Sequence, residues 1–112
     1  MVETLYPYTV SNEKVIEQIV KDDAAMINHV ILTKGERLPE HYSDSNVFLI
    51  LIRGTITARF NDQERHTYSK QILNVPAQTL MNISNEGDEV LEFFIVKAPH
   101  PRIHNKKNWL LN

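Results

Sequence analysis

Gly35–Gly54 reads GERLPEHYSDSNVFLILIRG, and this stretch decides the fold. Gly35 and Pro39 punctuate a turn, and His41 follows in a polar loop. Six apolar residues, Val47 to Ile52, then run into Arg53-Gly54. That run is too short for an ordinary helix and far too short to cross a bilayer as one. Its Val, Phe, Leu and Ile suit a pleated strand. The stretch therefore reads as turn, polar loop, buried strand and tight turn, and the flanking chain must supply strands to pair with it.

Towards the C-terminus, Thr55 to Phe60 alternates Thr-Ile-Thr-Ala-Arg-Phe, the pattern of a half-buried strand. Arg53-Gly54 lies between two strand-like runs, which predicts a β-hairpin there. Further short strands are expected at Glu64–Tyr68, Ile72–Val75 (ended by Pro76) and Leu80–Ile83. Asn85-Glu86-Gly87-Asp88 is a turn signal, and Val90–Lys97 is a last strand closed by Pro99 and Pro101. Towards the N-terminus, Ala24 to Leu32 reads as a strand running into Lys34-Gly35. Residues 14–20 fit either a helix capped by Ser11, with Val15, Ile16, Ile19 and Val20 as its apolar stripe, or a strand. Pro7 inside LYPYTV makes residues 5–10 an edge strand or an extended arm. About eight to ten short strands at this spacing, with no segment that reads only as a helix, predict an all-β sandwich or barrel.

A chain of 112 residues forms one domain with a core of its own, here 1–112 with an N-terminal arm (1–12) and a C-terminal tail (98–112). The absence of cysteine excludes disulfides and thiolate metal sites. MVETLYPYTV carries no basic segment followed by an apolar one, so a cytoplasmic location is expected. The net charge is −2, from 12 basic and 14 acidic residues, which gives no general attraction to nucleic acid or to acidic membranes. Residues 97–108 contain Lys97, Arg102, Lys106 and Lys107 with no acid, read as a solvated basic stretch. It ends in Trp109-Leu110-Leu111, an apolar group expected to dock on the barrel or on a partner.

An antiparallel strand with one wet face alternates, yet Val47–Ile52 does not, and Val90–Val96 has only Glu92 as a polar break. Both strands therefore need a cover outside as well as a core inside. A second copy of the chain is the expected cover, giving a homodimer through the outer face of one sheet.

Gly35, His41 and Gly54 also carry a resemblance. Their spacing is similar to the first motif of the cupins, which is Gly, five residues, His-x-His, three or four residues, Glu, six residues, Gly. Here Ser43 stands at the second histidine and Val47 at the glutamate. The second cupin motif is Gly, five residues, Pro-x-Gly, two residues, His, three residues, Asn. It falls on Lys70, Pro76, Gln78, Met81 and Asn85, of which Pro76 and Asn85 match. The resemblance implies a double-stranded β-helix (jelly-roll) barrel. It also implies a metal held by three imidazoles and a carboxylate, but three of those four positions are Ser43, Val47 and Met81. A hydroxyl and a thioether are poor ligands for a hard or borderline divalent ion, and valine is none. No cofactor is expected; His41 is a weak metal candidate, with Met81 as a soft partner suited only to Cu(I).

The metal end is therefore expected to have become an apolar pocket for an unknown small molecule, lined by Val47, Leu49, Leu51, Met81 and Ile83 and oriented by His41 and Ser43. The resemblance also allows an alternative, a cupin-type isomerase, decarboxylase or dioxygenase. His41 would then be the acid or base, with Tyr42 or Glu92 as its partner, or part of a non-standard metal site. In the structural reading of His41 it bonds a neighbouring carboxylate, Glu40 or Asp44. His29, beside Asn28 in an apolar run, is expected to be a satisfied, partly buried side chain, and His66 exposed. Pro99 and Pro101 are expected to prevent a helix that would bring His100 and His104 together. Arg53 is expected to pair locally. Glu92 either points outward to a base across the sheet or is a buried acid.

Overall fold

The computed structural model describes residues 1–105, so Trp109-Leu110-Leu111 and the lysines at 106 and 107 lie outside the described residues. Among the described residues nine strands form two sheets: β1 (Val15–Lys21), β2 (Met26–Leu32), β3 (His41–Tyr42), β4 (Val47–Arg53), β5 (Ile56–Phe60), β6 (His66–Tyr68), β7 (Ile72–Val75), β8 (Leu80–Ser84) and β9 (Leu91–Lys97). One sheet has the order β1-β2-β9-β4-β7 and the other β3-β8-β5-β6, and every strand pairing is antiparallel. This is the expected all-β double-stranded β-helix. Residues 14–20, which fitted a helix or a strand, lie mostly in β1; a bulge between Gln18 and Val20 breaks its alternation.

The core lies between the sheets. Val30, Leu32, Val47, Leu49, Leu51, Leu91 and Phe93 come from the five-stranded sheet, and Ile56, Ala58, Met81 and Ile83 from the other. In β4 Val47, Leu49 and Leu51 face this core, while Phe48, Ile50 and Ile52 face the opposite side. The unbroken apolar run thus serves two faces.

Two expectations fail. The runs on either side of Arg53-Gly54 do not form a hairpin: β4 pairs with β7 and β9, and β5 with β6 and β8. Gly54 instead turns the chain from one sheet into the other. Its φ is 78°, and a β-carbon there would lie 2.3 Å from the Val90 carbonyl oxygen. The corner therefore needs both a left-handed residue and an absent side chain. Second, residues 101–105 form a helical turn despite Pro101, with the His104 amide donating to the His100 carbonyl at 3.0 Å. Proline is accepted there because the first helical position has no amide bond to lose.

The glycine positions of the second cupin motif keep their geometry without glycine. Lys70 has φ 53° and Gln78 φ 63°, both left-handed. A side chain in that region costs about 1–2 kcal/mol. Lys70→Gly and Gln78→Gly are each expected to raise the urea midpoint, by up to about 1 kcal/mol after the extra chain entropy of glycine is subtracted. A lowered midpoint in both would show that the two side chains have contacts that outweigh the strain.

Asn85, the last residue of that motif, is fully buried. Its Nδ2 donates to the Leu32 and Glu89 carbonyls at 2.9 Å each, and its Oδ1 accepts from the Gly87 amide at 3.0 Å. Its main chain bonds Gly35 and Glu36. It joins the first-motif turn to the turn before β9. Among the described residues no helix is long and apolar enough to cross a membrane.

Candidate functional site

At one end of the barrel the two sheets part around a cleft of about 460 Å³. Its walls are apolar: Val30 on β2, Leu49 on β4, Met81 and Ile83 on β8 and Ile95 on β9, with Ile16, Leu38 and Pro39 at the rim. Three polar side chains also line it: Asn28, His41 and Lys97.

His41 is exposed at the mouth on the two-residue strand β3, opposite Met81. Its Nδ1 lies 2.9 Å from the Pro39 carbonyl oxygen. A carbonyl only accepts, so Nδ1 donates to it and Nε2 is the ring nitrogen left to meet a ligand. Glu40 and Asp44, the expected partners of His41, are engaged elsewhere: Glu40 accepts from Asn82 Nδ2 at 3.0 Å and Asp44 pairs with Lys97 Nζ at 3.0 Å. The Lys97 side chain is 13% exposed, so its charge sits near the apolar wall with Asp44 as counter-ion. Asn28 Oδ1 is buried and, among the described residues, has no hydrogen-bond partner.

Of the residues expected to line the pocket, the cleft brings together His41, Leu49, Met81 and Ile83. Val47 and Leu51 are packed in the core instead. Ser43 is buried, its Oγ donating to the Pro76 carbonyl at 2.7 Å and accepting the Thr79 amide at 2.9 Å. It ties the segment after β3 to the turn before β8. Asn28 and Lys97 were missed, although strand phase points to them. Asn28 keeps step with Val30 and Leu32, and Lys97 with Leu91, Phe93 and Ile95.

The metal set that the fold implies does not fit these residues. Ser43 Oγ is committed to the main chain, Val47 has no donor atom, and Met81 offers only sulfur opposite His41. Among the described residues no three His, Asp or Glu side chains converge on a point that could hold a metal ion.

Glu92 does not meet His41. It projects from the other face of β9, as the outward reading had it. Its Oε2 lies 2.6 Å from His29 Nε2 and its Oε1 accepts from Arg53 Nε at 2.8 Å. His29 is fully rather than partly buried, between Tyr8 and Phe94, with ring centroids 5.0 and 4.8 Å away. Its Nδ1 lies 3.4 Å from Glu17 Oε2. Arg53 also donates to Asn12 Oδ1 and the Ser11 carbonyl, so its pairing is local, as expected. Hydrogen bonds from Thr9 and the neighbouring His29 hold the Glu17 carboxyl below its ordinary value, partly opposed by desolvation. The chain Glu17–His29–Glu92–Arg53 thus fastens residues 8–12 of the arm across the sheet. His66 is exposed. His100 Nδ1 accepts the Arg102 amide at 3.0 Å.

No family model matches the sequence. An uncharacterised protein of the archaeon Methanocaldococcus jannaschii is 43% identical over 104 residues, which span 91% of this chain and 90% of that one. A crystal structure from the same organism, described as an RmlC-like cupin family protein with a double-stranded β-helix fold, superposes with a TM-score of 0.90 at 43% identity. The match covers 94% of this chain and 98% of that one. A cupin 2 conserved barrel domain protein from Salinispora arenicola superposes with a TM-score of 0.73 at 12% identity, covering 96% and 98%; at that identity it speaks for the fold alone. With 43% identity along nearly the whole of both chains, and with both motif frames in place around the barrel, this chain belongs to the cupin family.

Proposed function

We propose that this cupin binds a small, largely apolar molecule with one acidic or hydrogen-bonding end in the barrel-mouth cleft, and that it does so without a divalent metal. The observation that carries this reading is the lining. An apolar wall from four strands surrounds a few convergent polar groups, the usual make-up of a ligand site. Asn28 Oδ1, unpartnered among the described residues, supports it further, because a buried polar atom left without a bond is costly unless something else meets it. His41 Nε2 and Lys97 Nζ would orient the polar end, and Met81, Leu49 and Ile95 would hold the apolar body.

The test uses 1-anilinonaphthalene-8-sulfonate, an aromatic anion of this general shape. We expect saturable one-to-one binding that EDTA does not change. Leu38→Arg, at the partly buried rim of the cleft, is expected to weaken it at least tenfold, while Ile52→Glu, on the far side of the five-stranded sheet, leaves it intact. Equal affinity in wild type and Leu38→Arg would overturn the assignment of the cleft. Loss of binding with EDTA and its return with added metal would overturn the metal-free reading.

A further inference from the structure

Building on the cleft as a ligand site, we infer that its ligand is an organic acid whose anion displaces Asp44 from Lys97, so that Asp44 competes from within the chain for the same place. Lys97 ends β9 and lines the cleft on the inner face of the barrel. Its cross-strand neighbours are Met26 of β2 and Val47 of β4, both apolar and buried. An ammonium group in such a place needs a counter-ion, because burying a charge without one is costly. Among the described residues Asp44 is the one acid paired with it, its Oδ1 lying 3.0 Å from Lys97 Nζ.

The two partners are held differently. Lys97 is largely buried, whereas the Asp44 side chain is about half exposed. The main chain on both sides of Asp44 is fastened. Ser43 Oγ bonds the main chain at Pro76 and Thr79, and the fully buried Ser45 donates from Oγ to the Pro99 carbonyl at 2.6 Å. The Asn46 carbonyl accepts from the Ala98 amide, next to Lys97, at 3.0 Å. Asp44 is thus brought to Lys97 by a pinned segment, yet its side chain can turn into water by rotation about its own bonds alone. A half-exposed carboxylate loses little by returning to water. Lys97 remains at the apolar wall and takes whichever anion is offered. An acid on an apolar body bonds Lys97 and covers Leu49, Met81 and Ile95 at once. A neutral molecule of the same shape gains only the apolar wall. The Lys97–Asp44 pair therefore selects acids over neutral molecules, and Asp44 sets how tightly they are held.

The test compares 1-anilinonaphthalene-8-sulfonate with N-phenyl-1-naphthylamine, the same rings without the sulfonate, by fluorescence titration of the full chain. Apolar burial alone ranks the neutral probe first. The wild type is expected to show the reverse order. Lys97→Met is expected to weaken the anionic probe by about tenfold or more, the scale of a hydrogen bond to a charged group, and to leave the neutral probe unchanged. Asp44→Asn is expected to tighten the anionic probe by roughly twofold to fivefold, again without effect on the neutral one. If Lys97→Met loses both probes, Asp44→Asn, whose side chain is not buried, decides on its own. Anionic binding that Lys97→Met leaves unchanged while neutral binding persists, or that Asp44→Asn fails to tighten, overturns the proposal. Tighter binding of the neutral probe by the wild type overturns the acid class and leaves the apolar cleft standing. Binding of neither probe overturns the cleft as a ligand site and the proposal with it, so the two failures are told apart.

Discussion

Gly54→Ala is expected to destabilise the barrel by at least about 3 kcal/mol, a large share of the roughly 5–15 kcal/mol by which domains of this size are stable. Two costs add at one atom. The left-handed backbone, φ 78°, costs a residue with a β-carbon about 1–2 kcal/mol. The new methyl would then stand 2.3 Å from the Val90 carbonyl oxygen and 2.9 Å from Leu91 Cα, both main-chain atoms. Main chain at the start of β9 cannot swing aside as a side chain would, so the corner must open and β4 or β9 must shift. Gly35→Ala separates the two terms. Its φ of 84° carries the same backbone cost, but nothing lies within 4 Å of the added carbon. Urea unfolding of the two variants is expected to rank Gly54→Ala well above Gly35→Ala. Equal midpoints would mean that the corner relaxes and that the approach to Val90 is not a constraint.

Glu92→Ala is expected to cost about 1–3 kcal/mol, the range for leaving a buried hydrogen-bonding group without its partner. Both carboxylate oxygens are in use, one on the fully buried His29 and one on Arg53. Without them His29 keeps only the long contact to Glu17, and Arg53 keeps Asn12 and Ser11. The penalty belongs to the stranded partners rather than to the net strength of the pair. A joint His29→Phe and Glu92→Leu substitution is therefore expected to be less damaging than Glu92→Ala alone, since no fully buried ring nitrogen is then left without a partner. The difference between the double variant and the sum of the singles measures the coupling. A loss below about 1 kcal/mol for Glu92→Ala would show that water reaches the network.

The fold was legible because its signals are local. Proline, glycine and asparagine end the strands, and Val47–Ile52 announces a strand with two apolar faces. Gly54 shows what local signals omit. A glycine between two strand-like runs is as good a mark for a hairpin as for a corner between sheets; the Val90 carbonyl, distant in sequence, decides between them. The lining of the candidate cleft was legible in part. His41, Leu49 and Met81 follow from motif spacing and strand phase. Ser43 and Val47 occupy the ligand positions of the motif, but a hydroxyl satisfied by Pro76 and Thr79 and a valine in the core belong to the barrel's packing. Asn28 and Lys97 have no motif to mark them, and only the pairing of β2 with β9 brings them to the mouth.

That pairing bears on how the barrel forms. β2 is hydrogen-bonded along its length to β9, joining Met26 to Lys97 and Leu32 to Leu91, while β4 and β5, adjacent in sequence, go to opposite sheets. The centre of the five-stranded sheet therefore cannot close until the last strand has been synthesised. Until then β2 and β4 present unpaired edges and apolar surface on both faces. Such distant pairing makes folding slow, because loop entropy must be surrendered before the contacts that reward it exist. During synthesis the chain is most exposed to aggregation just before residues 91–97 arrive, and β9 is the strand whose docking ends that interval.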